Sequence, residues 1–393
     1  MKYLAFILLA LIAALSLRAE TNLFPIMPWN SPPNDPAVLK KIKECGFTVA
    51  GFVPPAALDN CRAAGLKAIV SDVRGSGYDW ASSIDELKAA TNVASLISEV
   101  GNHPAVFGYY LRDEPSAPWF PNLEKIASRI RRLAPGKWPY INLYPDYAEN
   151  WQLGATNYSD YLERFISICH PEILSYDNYS IMDDGSLRNN YWTNLESVRA
   201  AALKHNLIFW NIVLSVAHFN YREPSPADLR FEAYTSIAYG ARGLAYFTYF
   251  APPVGGYRAA PIDQFGHETA TWHHLQNINL QIQNLGPTLL QLKSDEVYHL
   301  GKVPSGCQAP STNSLVSSIS GDNWLVGDFT HSDQSRYALI VNKDLAKPRP
   351  VSVQFRHPPK TLKHISPYNG SLITFEGEYV WLAPGQGVLL KLE

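Results

Sequence analysis

Three charged residues sit where a buried chain would ordinarily avoid them. The stretch GYYLRDEPS (108–116) places Arg112, Asp113 and Glu114 directly after an apolar, aromatic run and ahead of Pro115. Charges at the end of a buried strand are expensive unless they are paired or used. A further carboxylate, Asp177, closes a second apolar run within SYDNYS (175–180). A pair of carboxylates surrounded by Trp and Tyr suits the cleavage of a glycosidic bond: one protonates the leaving oxygen, the other acts as nucleophile or positions water. Glu114 is the candidate acid, because Pro115 stops strand pairing there and turns the chain outward. The competing reading of Arg112, Asp113 and Glu114 is an ion-pair network at a barrel rim.

The elements that must carry these residues are written as an alternation. Residues 22 to about 292 alternate short apolar runs with amphipathic ones. The expected strands are 23–29, 47–53, 67–72, 106–111, 139–145, 173–179, 207–215 and 243–250. Between them NLEKIASRIRRLAPG (122–136) sets Leu123, Ile126, Ile130 and Leu133 on one helical face and ends in a Pro-Gly stop. Eight strand–helix pairs predict a (β/α)8 barrel over residues 20–292, with its site at the carboxyl ends of the strands. No GxGxxG follows the first strand, so an open dinucleotide-binding sheet has no support.

After residue 292 the text changes to short alternating strands, 324–331, 337–344, 351–355, 373–377 and 387–393, separated by Pro, Gly, Asn and Asp. They predict a small antiparallel β-sandwich over 293–393. Ahead of the barrel, MKYLAFILLALIAALSLRAE reads as a signal peptide over 1–19, cleaved near Ala19, which predicts a secreted or periplasmic protein without a membrane span after cleavage.

Composition narrows the partners. The 10 Trp and 22 Tyr give surfaces on which sugar rings stack, and the net charge of −2 argues against a nucleic-acid footprint. Cys45, Cys61, Cys169 and Cys307 form no CxxC and no metal-ligand spacing, so they are expected as free buried thiols, with one disulfide as the alternative in an exported protein. His273 and His274 fall on an expected late helix, and no HExxH or nucleophile elbow occurs; neither metal nor cofactor is expected. The expected carbohydrate contacts are Asp113, Asp72, Trp29, Asn142, Tyr144, Tyr179, Asn211 and Tyr246, all at or near strand ends. Trp80, Trp119, Trp151 and Trp192 lie in or near strand-to-helix loops as further stacking or core residues.

GYYLRDEPS resembles the strand-four end of the clan A barrel glycoside hydrolases, in which Asn-Glu-Pro is usual and Asp-Glu-Pro occurs in β-galactosidase-like members. The closing APGQGVLLKLE (383–393) resembles the last strand of the sandwich that often follows such barrels. The resemblance implies Glu114 as general acid/base and Asp113 in a position that binds a sugar hydroxyl. It also implies a nucleophilic Glu at the end of strand seven, where LIFWNIVLS (207–215) has no carboxylate. The nearest is Glu223 in YREPS, in the following loop; Asp177, on strand six, is the better-placed partner. Besides a hydrolase, the residues are compatible with a non-catalytic carbohydrate-binding barrel or a polysaccharide lyase with a Tyr base.

Overall fold

The computed structural model describes residues 23–393, and the expected signal peptide lies outside them. Eight parallel strands form one sheet: β1 (Ile26–Pro28), β2 (Val49–Val53), β3 (Lys67–Val70), β4 (Val106–Asp113), β5 (Trp138–Leu143), β6 (Ile173–Asp177), β7 (Ile208–Leu214) and β8 (Leu244–Phe247). The ladder runs from β2 through β3, β4, β5, β6 and β7 to β8, and then to β1. Each expected strand is present. Most are shorter than the apolar run that announced them, whereas β4 extends two residues further and takes Arg112 and Asp113 into the ladder.

Alternation along the strands builds two cores. Met27, Ile69, Tyr140, Ile173, Trp210, Ile212 and Ala245 point into the barrel and fill it. Their neighbours Ile26, Val70, Tyr109, Ile141, Leu174, Val213 and Leu244 point out against the helices. Burial on both faces explains why these strands read as continuous apolar runs rather than as alternating ones. The interior is crowded enough that a Cβ on Gly243 would collide with the Trp210 indole.

The seam between β1 and β2 is closed by a side chain as well as backbone. Thr48 N–H donates to the Ile26 carbonyl at 2.9 Å, and the Ile26 N–H donates to Thr48 Oγ1 at 2.8 Å. The same hydroxyl donates to the Phe24 carbonyl at 3.0 Å. Thr48→Val removes the acceptor and leaves a buried N–H unmatched, so it is expected to cost about 1–3 kcal/mol in a denaturant titration.

The C-terminal part begins with β9 (Leu292–Leu300), a strand the sequence pattern did not announce. It joins β11 (Trp324–His331), β12 (Arg336–Asn342), β18 (Gly387–Leu392), β15 (Leu362–Ile365) and β16 (Leu372–Thr374) in an antiparallel sheet. Two-stranded ladders, β10 (Val316–Ile319) with β14 (Val353–Phe355) and β13 (Arg349–Pro350) with β17 (Trp381–Leu382), form the facing layer. Period-two alternation serves both sides of the larger sheet. Val326, Ile340 and Leu390 pack inside the sandwich, while Leu325, Leu339 and Leu389 pack against the barrel's helix layer. The barrel and the sheet therefore share one continuous core. Cys45, Cys61, Cys169 and Cys307 are free thiols, and no described helix is long and apolar enough to cross a membrane.

Candidate active site

The carboxyl end of β4 departs from simple alternation. The β4–β5 register shifts between Tyr110 and Arg112, so two residues of β4 oppose one of β5. Beyond this bulge Asp113 stands opposite Asn142 and joins it inside the barrel mouth. Without the bulge, alternation from the inward Tyr110 would have turned Asp113 toward the helices. Glu114 follows at φ +46°, a left-handed conformation that costs a non-glycine residue about 1–2 kcal/mol. Two bonds hold it there: the Glu114 N–H donates to the Asn142 carbonyl at 2.9 Å, and the Tyr161 hydroxyl donates to the Pro115 carbonyl at 2.7 Å.

Asn142 is the centre of the polar array. Its Nδ2 donates to Asp113 Oδ1 at 3.1 Å and to Asp177 Oδ1 at 2.8 Å, so one amide joins the carboxylates of β4 and β6. Its Oδ1 accepts from Ser175 at 3.1 Å, and Ser175 in turn meets the Tyr140 hydroxyl at 2.7 Å inside the barrel. These contacts fix the amide's orientation, with both N–H groups toward carboxylates.

The electrostatics follow from three carboxylates with little positive charge among them. The guanidinium whose charge reaches Asp113, that of Arg112, lies over the Trp119 ring, 5.3 Å from its centroid. Burial, then the charge of Asp113, push the Glu114 carboxyl up to about 7. Among the described residues no donor reaches that carboxylate to offset the shift. Asp177 is 5% exposed and is pushed well above the usual carboxylate range, by burial first and then by Glu114 and Asp113. The Asn142 amide works the other way on Asp177 and favours its ionised form. Asp113 is raised by burial, with Asn142 and Arg112 opposing. Carboxylates that share so poorly hydrated a space oppose one another's ionisation.

Aromatic side chains wall the mouth. Trp29 packs edge-on against Phe52, with centroids 4.5 Å apart, and Tyr110 packs against the same Phe52 ring. Tyr144 feels the charges of Glu114, Asp113 and Asp177, which places it over the same space. Tyr179 stacks on Phe247 at 5.4 Å, and its N–H donates to the Tyr147 hydroxyl at 3.3 Å. His218 stacks on Tyr257 at 5.0 Å and packs against Phe247.

The structure brings Glu114, Asp177, Asp113, Asn142, Tyr144, Tyr179 and Trp29 to one place, and four expected residues stand elsewhere. Asn211 points out of the barrel, where its amide donates to Ser236 of the helix Pro226–Ala238 at 2.9 Å. Tyr246 also faces the helix layer, 6.0 Å from the Phe47 ring, and is fully buried. Both lie one residue out of phase with the inward positions Trp210, Ile212 and Ala245. Asp72 caps the short helix Val73–Ser76 and pairs with the Arg74 guanidinium at 2.8 and 2.9 Å. Glu223, its side chain 61% exposed, pairs with Arg258 at 3.2 Å and is not among the charges that raise Glu114 or Asp177.

Of the other tryptophans, Trp80 and Trp192 are buried and Trp151 is exposed. Phe247, Tyr147, His218 and Tyr257 belong to the mouth but were not expected there. Inward parity on β8 marks Phe247; the other three sit on long loops without a periodic signal.

No protein-family model matches the chain, and no curated relative does. Solved structures do. A glycoside hydrolase family 5 protein from Bacteroides vulgatus superposes with a TM-score of 0.59 at 14% identity, covering 94% of this chain and 88% of that one. A β-galactosidase from Rahnella sp. R3 gives 0.57 at 9% identity, covering 94% and 98%. The likeness shows the fold, a (β/α)8 barrel followed by a β-sandwich. A β-galactosidase from the psychrophilic Marinomonas ef1 gives 0.51 at 10% identity over 66% of this chain, and the chain spans 60% of that protein's length.

Proposed function

We propose that the chain is an exported glycoside hydrolase that cleaves O-glycosidic bonds of an oligo- or polysaccharide with Glu114 and Asp177. The observation that carries this reading is the bridge from Asp113 through Asn142 to Asp177, with the proton-retaining Glu114 beside it. The apolar N-terminal sequence supports export.

The two carboxylates divide the work by environment. Glu114, raised to about 7 and without a donor, keeps its proton near neutral pH and gives it to the departing glycosidic oxygen. Asp177 carries the negative charge of the pair in this reading, favoured by the Asn142 amide on one oxygen against the burial that raises it. It acts on the anomeric carbon directly or through a water. Asp113 is fixed by the same amide and is left with lone pairs for a sugar hydroxyl. Trp29, Tyr144 and Tyr179 supply apolar faces for the rings.

Two measurements test the reading. Release of reducing ends from a panel of β-linked oligosaccharides and aryl glycosides is expected; sugar binding without any release would favour a non-catalytic barrel. Activity is expected to fall as pH rises through about 7, the value to which Glu114 is raised, because the acid then loses its proton. The negative charge of Asp113 contributes to that rise, so Asp113→Asn is expected to move this alkaline limb to lower pH in kcat/KM profiles. A limb that stays in place would separate Glu114 from the titrating group.

A further inference from the structure

A second feature lies where the loop after β6 meets the C-terminal sheet. A cavity of about 570 Å³ opens there, within the range of about 300–1,000 Å³ in which small ligands bind. The barrel contributes Arg188, Trp192 and Phe231 to its lining, and the C-terminal part contributes Lys302, Asn323 and Lys343. Among the described residues three cationic side chains and no carboxylate line it, in a chain whose net charge is −2.

The cations are not consumed by structural ion pairs. Lys343 is 7% exposed, yet its ammonium rests on neutral acceptors: His299 Nδ1 at 2.9 Å and the Lys302 carbonyl at 3.3 Å. The Trp192 ring lies 5.7 Å from it. His299 can accept at Nδ1 because its other nitrogen faces the Tyr239 hydroxyl at 3.1 Å, and that hydroxyl reaches Glu196 at 3.1 Å. Asp322, the carboxylate whose charge reaches Lys343, is engaged by Arg349 at 3.3 Å. Burial lowers Lys343 only to about 8, so it stays charged at neutral pH. The Arg188 guanidinium stacks 4.4 Å from the Tyr147 ring and donates to the Tyr221 hydroxyl at 3.1 Å, while its Nε is buried without an acceptor. A buried ammonium held only by neutral partners, beside a second cation and an unmatched guanidinium N–H, is a site that lacks its anion.

We propose that this cavity binds an acidic sugar residue of a glycan, with its carboxylate or sulfate between Lys302 and Lys343 and its ring against the apolar wall of Trp192 and Phe231. The sugar part rests on the carbohydrate reading above; the anion part rests on the cavity alone. Because Arg188 touches Tyr147, whose hydroxyl holds the Tyr179 N–H, the cavity adjoins the wall of the barrel mouth. One glycan chain could therefore occupy both.

Calorimetric titration tests this with five probes: an oligogalacturonate, a sulfated galactan oligosaccharide, the neutral counterpart of each, and inorganic sulfate. One acidic glycan is expected to bind at least about tenfold tighter than its neutral counterpart, with affinity falling as salt rises. Lys302→Glu, a change at an exposed position, is expected to weaken that binding about tenfold or more, the range for a lost charge-assisted hydrogen bond. Lys343→Met is expected to do the same, with Lys302→Glu deciding the matter if the buried substitution fails to fold. Equal affinity for acidic and neutral glycans, or unchanged binding in Lys302→Glu, would overturn the proposal. Inorganic sulfate binding as tightly as the glycans would overturn the sugar assignment. Cleavage of neutral substrates with a silent cavity refutes only this inference, and acidic-glycan binding without any cleavage refutes only the hydrolase.

Discussion

Glu114→Gln is expected to lower kcat on unactivated glycosides by roughly 10²–10⁴-fold, the contribution of a positioned general acid. The loss should depend on the leaving group. An aryl glycoside with a strongly acidic phenol departs without a proton, so its bond cleavage should suffer far less than that of an alkyl glycoside. A merely structural defect would slow both alike. The same substitution should leave the protein more stable above neutral pH. Glu114 is raised from 4.5 to about 7 in the folded chain, so the unfolded chain ionises first as pH rises. Stability is therefore lost between about 4.5 and about 7, and the whole cost persists above that window. Gln carries no such cost. The Tm of the variant should match that of the native protein near pH 4 and exceed it at pH 8. Near-native turnover of an alkyl glycoside by Glu114→Gln would remove Glu114 from the chemistry, whatever the Tm.

How much of this was legible in the sequence depends on the scale. The eight apolar runs announced the barrel because strands covered on both faces leave unbroken hydrophobic text. Strand β4 announced itself through the cost of its charges: Arg112, Asp113 and Glu114 had no reason to end a buried strand unless something used them. What the text could not carry was side-chain direction. Asn211 and Tyr246 lie on the right strands and face the helices, because a shift of one residue reverses every side chain of a strand. The bulge between Tyr110 and Arg112 is the opposite case, since it turns Asp113 inward against the parity of its own strand. A bulge is set by the pairing of two strands, and so has no signature in either one. Asn142 was placed among the sugar contacts for its position alone. Its role as the amide between two carboxylates required three strands in register. Strand β9 was hidden because LKSDEVYHL carries three charged residues, and only pairing with β11 makes it extended. The cationic cavity was equally invisible. Its lysines lie more than a hundred residues from Arg188 and meet it only across the barrel–sheet contact.

Asp177→Asn is the sharper test of the pair, because the partner of Glu114 is the point on which the resemblance to clan A and the geometry diverge. The resemblance expects a carboxylate after β7, and the carboxylate available there, Glu223, is exposed and paired with Arg258. The geometry expects Asp177, buried within reach of the Glu114 charge and held by Asn142. The substituted side chain can keep its amide oxygen toward Asn142, so the array should survive the exchange with its fold intact. What it loses is the charge that stabilises the oxocarbenium-like transition state or activates water, and kcat should fall by at least about 10³-fold on every substrate, activated or not. That indifference to the leaving group separates it from Glu114→Gln. Azide, a small anion able to enter the space beside the neutral amide in Asp177→Asn, should restore turnover of an activated glycoside and leave a glycosyl azide. Its anomeric configuration, compared by NMR with the first-formed product of the native protein, reports the face that Asp177 serves. Retention in the native reaction requires carboxyl groups about 5–5.5 Å apart and inversion about 6.5–9.5 Å, so the same spectra fix the working separation of the pair. Glu223→Gln should change kcat by less than about twofold, as expected for an exposed ion pair. Should Glu223→Gln abolish turnover while Asp177→Asn spares it, the loop after β7 closes over the mouth in the working enzyme, and the partner is the one the resemblance expects.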